Sequence, residues 1–378
     1  MDWTESLLRS LLARADVRVS PEPAERRPWD VEVADRRFFR RVAREGSLGL
    51  GESYMDGWWE CDRLDEFFAR LLGRGVDRFA WASPAGLASR LRQRFAAAIS
   101  PERAFAVGRG HYDLGNDLFA AMLDRSMTYS CAYWQGAADL DAAQEAKLDL
   151  VCRKIGLRPG ERVLDVGCGW GSLARHVAER CGARVLGVTV SREQAALARE
   201  RTAGLPVEIR VADYRALDEP FDRAVSIGMF EHVEPGQYRV YFETLARCLA
   251  PGGLFLLHTI GNDRGGGAGD PWMRKHVFPL GRIPAPGQIR RAARGLFHVL
   301  DWHRLGGAHY DRTLSAWHDN FTRRWPELRA RYAEKRGGRF ERMWRYYLLA
   351  CAGAFRAGAL DVWQLVLARE PRAYQPVR

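Results

Sequence analysis

Long apolar runs and paired cysteines are both missing from this chain. No stretch approaches the roughly 20 apolar residues that a membrane-spanning helix needs. The seven cysteines include no Cys-x-x-Cys pair, which argues against a disulfide framework and against a zinc site. The first residues carry acids and no apolar core, unlike a secretory signal. We therefore expect a reduced, metal-free protein in the cytoplasm.

Lysine is also scarce, so arginine carries most of the positive charge. The chain has 58 basic and 47 acidic residues and a formal net charge of +11. Arginine presents a flat fork of donors that matches phosphate in two places at once. An anionic partner, either lipid headgroups or nucleic acid, is one interpretation of this charge. A bias towards arginine with no functional surface is the other.

At 378 residues the chain is longer than one typical domain, and we expect two. Residues 1–85 are predicted to form a small, mainly helical N-terminal domain, with a first amphipathic helix over residues 4–15. Residues 36–41, Arg-Arg-Phe-Phe-Arg-Arg, suit a lipid surface or the core of that domain. Residues 86–110 are predicted to be a linker, because the composition shifts around residues 83–110, where two Ser-Pro pairs flank a basic stretch. The remaining residues, 111–378, would form the catalytic domain.

Strands and helices alternate from about residue 140. The predicted helices cover 141–155, a segment ending near 182, a segment from 191, and 236–249; the predicted strands cover the run at 163, 183–190, 206–212, 222–228 and 253–260. Such alternation indicates an α/β fold with a parallel sheet covered on both faces, as in Rossmann-like proteins. Ligands of these folds bind beyond the carboxyl ends of the strands.

The opening strand runs into Val-Leu-Asp-Val-Gly-Cys-Gly-Trp-Gly at residues 163–171. Gly167, Gly169 and Gly171 would let the backbone approach a nucleotide-like ligand, and Cys168 lies between the first two. Asp165 suits a cation better than a pyrophosphate, which indicates the sulfonium or amino group of S-adenosylmethionine. Dinucleotide dehydrogenases share such a turn, but they place an acid about 20 residues further on, where this chain has Gly-Val-Thr-Val.

Three further strand ends carry candidate side chains. Thr189 and Gln194 follow the second strand, although Gln194 also has the spacing of a helix capping box with Ser191. Asp213 and Tyr214 follow the third strand and could contact adenine, although a carboxylate in a turn needs no ligand. Glu231 follows the fourth strand.

Several blocks closely resemble the cyclopropane-fatty-acyl-phospholipid synthases and their mycolic acid methyltransferase relatives. They are residues 111–134 (from His-Tyr-Asp-Leu-Gly-Asn to Met-Thr-Tyr-Ser-Cys-Ala-Tyr-Trp), 163–171, 228–233, 257–261 and 346–356. The match covers about residues 105–370, and the first hundred residues resemble the family more loosely. The resemblance implies a class I methyltransferase fold, with S-adenosylmethionine as methyl donor and an unsaturated acyl chain as acceptor.

The resemblance also implies a bicarbonate ion as the base, held by positions that match Cys131, Glu231, His258, Ile260 and Tyr310. For some of these a structural role is the alternative: His258 could be a core histidine, and Cys131 could simply pack. Cys351 matches a cysteine proposed as catalytic in the family, but an apolar helix face would make its thiol inert. The implied cofactor contacts are Tyr129, Ser130, Asp165, Gly167, Cys168, Gly169, Gly171, Thr189, Gln194, Asp213 and Tyr214.

We therefore expect an enzyme that adds a methylene from S-adenosylmethionine to a cis double bond of a membrane phospholipid and forms a cyclopropane ring. It would be a homodimer, associate with the inner face of the membrane through its N-terminal domain, and bind no nucleic acid. A methyl-branched or methylene product is the alternative on the same chemistry. A methyltransferase for small molecules or nucleic acids, and a non-catalytic membrane-binding protein, are the other classes considered.

Overall fold

The computed structural model describes residues 3–76 and 114–378, apart from residues 264, 266, 280 and 337. The predicted linker lies outside the described residues, as do residues 111–113 of the first family block. The described residues divide into two compact units. The first comprises residues 3–76, 268–279 and 310–360; the second comprises residues 114–267, 281–309 and 361–378. The first unit thus includes more than the N-terminal region, and the domain boundary at the linker stays a prediction.

The helices are, in chain order, α1 Trp3–Arg14, α2 Arg37–Glu45, α3 Ser47–Met55, α4 Leu64–Gly73, α5 Asn116–Met122, α6 Leu140–Lys154, α7 Ser172–Cys181, α8 Arg192–Arg201, α9 Tyr238–Cys248, α10 Pro271–His276, α11 Pro286–Ala293, α12 Gly307–Arg336 and α13 Phe340–Arg356. The strands are β1 Glu32–Val33, β2 Trp59–Glu60, β3 Arg162–Val166, β4 Arg184–Thr189, β5 Val207–Val211, β6 Phe221–Ile227, β7 Leu249–Gly261, β8 Gly267–Ala268, β9 Arg282–Ile283, β10 His298–Arg304 and β11 Asp361–Ala368. Within the described residues, no helix is both long and apolar enough to cross a membrane.

The first unit is mainly helical and has an aromatic core. Phe38 and Phe39 of α2 are buried, and the Phe38 ring contacts Trp59, whose ring lies 5.1 Å from that of Tyr54. The indole nitrogen of Trp59 donates a hydrogen bond to the Leu50 carbonyl at 3.0 Å. The aromatics at 38 and 39 therefore form the core of this unit, which was one of the two interpretations of that segment.

The second unit is built around a seven-stranded sheet with the order β10-β11-β7-β6-β3-β4-β5. The five strands from β7 to β5 are parallel, whereas β11 pairs antiparallel with both β7 and β10. Side chains alternate between the two faces: Leu164 and Val166 of β3 join one apolar cluster, and Val163 joins the other. Burial on both faces explains why β3 reads as a continuous apolar run.

The predicted α/β fold class is confirmed. Each strand predicted from the alternation is present, and the longest, β7, begins four residues before its predicted start at 253 because Leu249 already pairs with Phe221 of β6. The antiparallel strands β10 and β11 were not predicted. The carboxyl ends of β3, β4, β5 and β6 lie at one edge of the sheet, since these strands run in the same direction.

Candidate active site

The turn from β3 to α7 contains the three glycines of the opening motif. Gly167, Gly169 and Gly171 have φ angles of +85°, +54° and +78°, which residues with a Cβ rarely adopt. A Cβ added to Gly167 would lie 2.9 Å from Met229, whereas one added to Gly169 would have no described atom within 4 Å. The backbone at Gly169 is therefore open to a ligand.

Asp165 precedes this turn and is almost fully buried, with 2% of its surface exposed. Its Oδ2 has no hydrogen-bond partner among the described residues. Burial raises the pKa of Asp165 to about 7, although the charge of Lys147 opposes the shift. A buried acceptor without a partner is costly, so this oxygen is suited to a cationic or hydrogen-donating group of a ligand.

One cavity opens at this edge of the sheet, and most of the predicted cofactor residues line it. They are Tyr129, Ser130, Asp165, Gly167, Cys168, Gly169, Thr189, Gln194, Asp213 and Tyr214. The remaining one, Gly171, does not line the cavity; it takes the left-handed conformation at the start of α7. The structure thus collects, from five separate segments, residues that the sequence places up to 85 positions apart.

The segment around Ser130 is held against the cavity by two buried side chains of α6. Gln144 donates from Nε2 to the carbonyls of Ser130 at 2.9 Å and Thr128 at 3.2 Å. Lys147 donates from Nζ to the Ser130 hydroxyl at 3.0 Å. Cys131, which follows, is 1% exposed, and its thiol lies 3.3 Å from the Ala132 carbonyl.

Gln194, which follows β4, lies in the capped first turn of α8 and also lines the cavity. The Ser191 hydroxyl accepts a hydrogen bond from the backbone amide of Gln194 at 3.2 Å and so caps α8. Gln194 does not complete a capping box: its Oε1 accepts from the Thr189 hydroxyl at 3.0 Å. The cap thus depends on the Ser191 hydroxyl alone. The side-chain amide nitrogen of Gln194 plays no part in it and can bind a ligand.

Asp213 is tied to its own turn. Its Oδ1 accepts from the backbone amide and Nε of Arg215 at 3.0 and 2.8 Å, and its Oδ2 lies 2.6 Å from the Arg215 guanidinium. Burial raises the pKa of Asp213, but these bonds from Arg215 outweigh it and leave the pKa lowered. Tyr214 packs edge-on against Tyr241 at 5.5 Å. Asp213 thus lines the cavity as a paired, ionised carboxylate.

Glu231 lies in a short 3-10 helix after β6, between cavity-lining residues Met229 and His232. Its Oε1 accepts from the Ile260 amide at 2.6 Å. Its Oε2 is buried and has no partner among the described residues. Burial raises the pKa of Glu231 to about 7, against the lowering effect of the Ile260 amide. The carboxyl can therefore exist in either protonation state near neutral pH.

His258 of β7 is 2% exposed, and its Nδ1 lies 3.2 Å from Nε2 of Gln364 on β11. Burial, followed by the charges of Lys147 and Lys154, holds the pKa of His258 well below its usual value. With Nε2 of Gln364 as the donor, the neutral ring accepts at Nδ1, and this arrangement favours the tautomer with its proton on Nε2. His258 is thus a buried histidine in contact with a polar side chain of a neighbouring strand.

Tyr310 and Cys351 belong to the first unit. The Tyr310 ring packs on Phe355 at 4.5 Å and on Trp317 at 5.9 Å. Cys351 lies in α13, and burial raises the pKa of its thiol to about 12. The roles that the resemblance gives to these two residues stay predictions.

Lys147 and Gln364 are two buried polar residues of this region that the sequence analysis missed. Lys147 stands in an ordinary charged helix pattern, and only its position three residues after Gln144, on the same helix face, could have indicated burial. Gln364 is the single amide in Asp-Val-Trp-Gln-Leu-Val-Leu-Ala. A lone amide inside an apolar strand needs a partner, and that signal was available.

The sequence of the chain is similar to that of known cyclopropane synthases and fatty acid methyltransferases. The sequence model of the family described as mycolic acid cyclopropane synthetase matches residues 99–365. The chain is 49% identical over 366 residues to the cyclopropane-fatty-acyl-phospholipid synthase of Escherichia coli (strain K12), covering 96% of this chain and 93% of that protein. It is 36% identical over 355 residues to the tuberculostearic acid methyltransferase UfaA1 of Mycobacterium tuberculosis (strain ATCC 25618 / H37Rv), covering 88% and 81% of the two chains.

A solved structure agrees with the described fold. The mycolic acid cyclopropane synthase CmaA1, crystallised with S-adenosylhomocysteine (SAH) and CTAB, superimposes with a TM-score of 0.65 at 33% sequence identity. The match covers 71% of this chain and 99% of that chain.

Proposed function

The chain belongs to the mycolic acid cyclopropane synthetase family and is an S-adenosylmethionine-dependent methyltransferase, and from this we propose that it cyclopropanates unsaturated acyl chains of membrane phospholipid. The observation that carries the proposal is the buried, unpartnered Oε2 of Glu231, next to residues that line the cofactor cavity. The acceptor is a cis double bond, and the product is an acyl chain with a cyclopropane ring in its place, heavier than the substrate by one methylene.

The cavity residues fit S-adenosylmethionine on two observations. Gly169 leaves open space at its Cα, and Asp165 offers an unpartnered oxygen. When bound, the cofactor supplies a methyl group whose bond to sulfur breaks as the bond to one alkene carbon forms, and the thioether leaves. The residues of the chain orient the donor: Gln194 is available to the ribose, Tyr214 to the adenine, and Asp165 to the amino group.

Methyl transfer to an alkene leaves a cation on the acyl chain, which water would trap. Loss of one proton from the new methyl group closes the ring and restores neutrality. Glu231 supports this chemistry in its ionised form, since a buried carboxylate stabilises a nearby cation.

We also infer that a bicarbonate ion supplies the base for this proton. Because burial raises the pKa of Glu231 to about 7, its Oε2 can share one proton with the anion, and the pair together keeps a negative charge that favours the cation. The Nε2–H of His258 is a second donor, and Cys131, Ile260 and Tyr310 are carried over from the resemblance. The Ile260 amide already bonds Glu231, so we infer that it contributes by orienting the carboxyl.

We also infer that the first unit docks on anionic phospholipid and that the protein is a homodimer. Docking is supported by exposed arginines of α2 and its N-terminal flank, where the side chains of Arg36, Arg37 and Arg44 are 75%, 72% and 83% exposed. Trp3 of α1 is 70% exposed. Arginine and tryptophan side chains that are exposed in the same unit suit a lipid surface. Co-sedimentation with anionic and neutral vesicles tests docking, and analytical ultracentrifugation tests the dimer.

The decisive experiment uses S-adenosylmethionine labelled in its methyl group and vesicles of cis-unsaturated phospholipid. Label in the acyl chains, with a mass gain of one methylene, is the expected result, and saturated vesicles are the control. Absence of label would contradict the proposal. Repeating the assay in buffer depleted of carbon dioxide should lower turnover, and added bicarbonate should restore it.

A second product is favoured by the likeness to a tuberculostearic acid methyltransferase. The same cation, if reduced, gives a methyl branch, and if deprotonated elsewhere gives a methylene. A reduced branch is two hydrogens heavier than a ring or a methylene, and it needs a reductant in the assay. Mass spectrometry of the product, followed by a test for a carbon–carbon double bond, separates the three outcomes.

A further inference from the structure

Lys147 is a fully buried lysine next to the cofactor cavity. It lies in α6, is 0% exposed, and is among the residues that line the cavity. Its Nζ donates to the Ser130 hydroxyl at 3.0 Å. Among the described residues it forms no other hydrogen bond and no ion pair. A buried cation with one neutral partner is expensive to keep, because two of its three donors are unsatisfied.

A second lysine of the same helix shows how such a charge is ordinarily compensated. Lys154 is also 0% exposed, but its Nζ lies 3.7 Å from a carboxylate oxygen of Asp301 and 2.8 Å from Nδ1 of His303. It does not line the cofactor cavity. Lys154 is thus satisfied within the protein, whereas Lys147 keeps its unsatisfied donors beside a ligand site.

The same cavity is also lined by a buried acid with one oxygen that lacks a hydrogen-bond partner in the described part of the chain. Asp165 lines the same cavity, and its Oδ2 is buried without a partner among the described residues. The two charges interact, since each shifts the pKa of the other, but they form no ion pair in the described residues. A cavity wall with one uncompensated cation and one uncompensated anion complements a zwitterion.

We propose that Lys147 is a cofactor-binding residue whose ammonium, anchored by the Ser130 hydroxyl, pairs with the carboxylate of the methionine moiety of S-adenosylmethionine. Asp165 takes the amino group of the same moiety. The pair would therefore select for a complete amino acid end on the cofactor. This inference uses the dependence on S-adenosylmethionine and is independent of the acyl substrate.

The test compares ligands as well as variants. By isothermal titration calorimetry, the full-length protein is titrated with SAH and with its decarboxylated analogue, which keeps the amino group. We expect the wild type to bind SAH roughly 10- to 100-fold more tightly, as for one hydrogen bond to a charged group. In Lys147→Met that ratio should fall to within about threefold, because the missing cation can no longer distinguish the ligands.

The matched control is Lys154→Met, which removes another buried ammonium from the same helix. It should leave the ratio of affinities as in the wild type even if it lowers thermal stability. A purely structural role of Lys147 would weaken both ligands equally and leave the ratio unchanged in Lys147→Met, and that result would overturn the proposal. A wild-type protein that binds both ligands equally would overturn it as well.

If Lys147→Met fails to fold, Ser130→Ala provides the second measurement, since it keeps the charge and removes the anchor. The ratio should then fall only in part, and an unchanged ratio would count against the inference. Asp165→Asn should instead reduce discrimination against the deaminated analogue of SAH. Failure of acyl labelling with this binding pattern intact would contradict the proposed substrate and leave the role of Lys147 standing.

Discussion

The Ile260 amide donates a hydrogen bond to Oε1 of Glu231 at 2.6 Å, although the two residues are 29 positions apart in the sequence. The bond joins the short helix after β6 to the end of β7 and fixes the carboxyl plane. It also leaves Oε2 as the oxygen that can act on a ligand. Orientation and reactivity are thus divided between the two oxygens of one side chain.

Replacement of this carboxyl should abolish most turnover and spare cofactor binding. Glu231→Gln keeps an oxygen for the Ile260 amide but cannot carry negative charge. We expect kcat to fall by roughly 10²- to 10³-fold, the usual loss for an electrostatic or acid-base group. The affinity for S-adenosylhomocysteine should change by less than about threefold. Steady-state kinetics and calorimetry check the two halves, and a variant with near-normal kcat would remove Glu231 from the chemistry.

The same variant should change how stability depends on pH. Burial raises the pKa of Glu231 from 4.5 to about 7 in the folded protein, so the folded state binds this proton more tightly than the unfolded chain does. The wild type should lose stability relative to Glu231→Gln as pH rises from about 4.5 through 7, by up to about 3 kcal/mol. Urea unfolding at pH 5 and pH 8 measures this difference. An equal difference at both values would mean that the carboxyl ionises normally.

Gln364 should control the tautomer of His258. Gln364→Leu fits an apolar strand but removes the amide that donates to Nδ1. We expect a loss of about 1 to 2 kcal/mol in the free energy of unfolding from the unsatisfied imidazole nitrogen, and about a tenfold lower kcat. Nitrogen-15 NMR of the imidazole should show one tautomer in the wild type and two in the variant. Leu365→Met, on the other face of β11, is the control and should show the wild-type tautomer.

Cys351→Ser should keep appreciable activity. With a thiol pKa raised to about 12, only about one thiol in ten thousand is ionised at pH 8. We expect kcat within about threefold of the wild type, together with a modest loss of thermal stability. Complete inactivation in a variant whose circular dichroism and melting temperature match the wild type would instead make this thiol essential.

Ser191 and Gln194 should separate into a capping and a binding role. Ser191→Ala removes the cap of α8 and should lower the free energy of unfolding by about 1 kcal/mol. Gln194→Ala keeps that cap and should weaken S-adenosylhomocysteine binding by up to about tenfold, as for a neutral hydrogen bond. Denaturation and calorimetry on both variants test the division. If Gln194→Ala lost stability and bound normally, its role would be structural.

The parallel part of the sheet was predictable because its strands are apolar on both faces and alternate with amphipathic helices. The ligand edge followed from the same alternation, since parallel strands place their carboxyl ends together. The sequence alone therefore assigns Asp165, Thr189, Asp213 and their neighbours to one ligand site.

Other features depend on contacts that sequence spacing does not encode. The strand β11 follows a long helical region and pairs antiparallel with β7, so no alternation precedes it. Lys147 reads as an exposed helix residue because its burial depends on Ser130 from a separate segment. The choice between a capping box and a simple cap at Ser191 depends on the hydroxyl of Thr189.

β11 pairs with β7 but is translated much later, so β7 lacks this neighbouring strand during part of protein synthesis. β7 ends at Gly261 and β11 begins at Asp361, so the ribosome makes 99 residues between them. During that interval one side of β7 presents unpaired backbone groups, which favour association with other chains. A nascent chain halted before residue 361 would also lack the amide that orients His258. β11 therefore both fills the place between β7 and β10 and supplies a side chain to the candidate active site, so translation products that end before residue 361 should aggregate and be inactive.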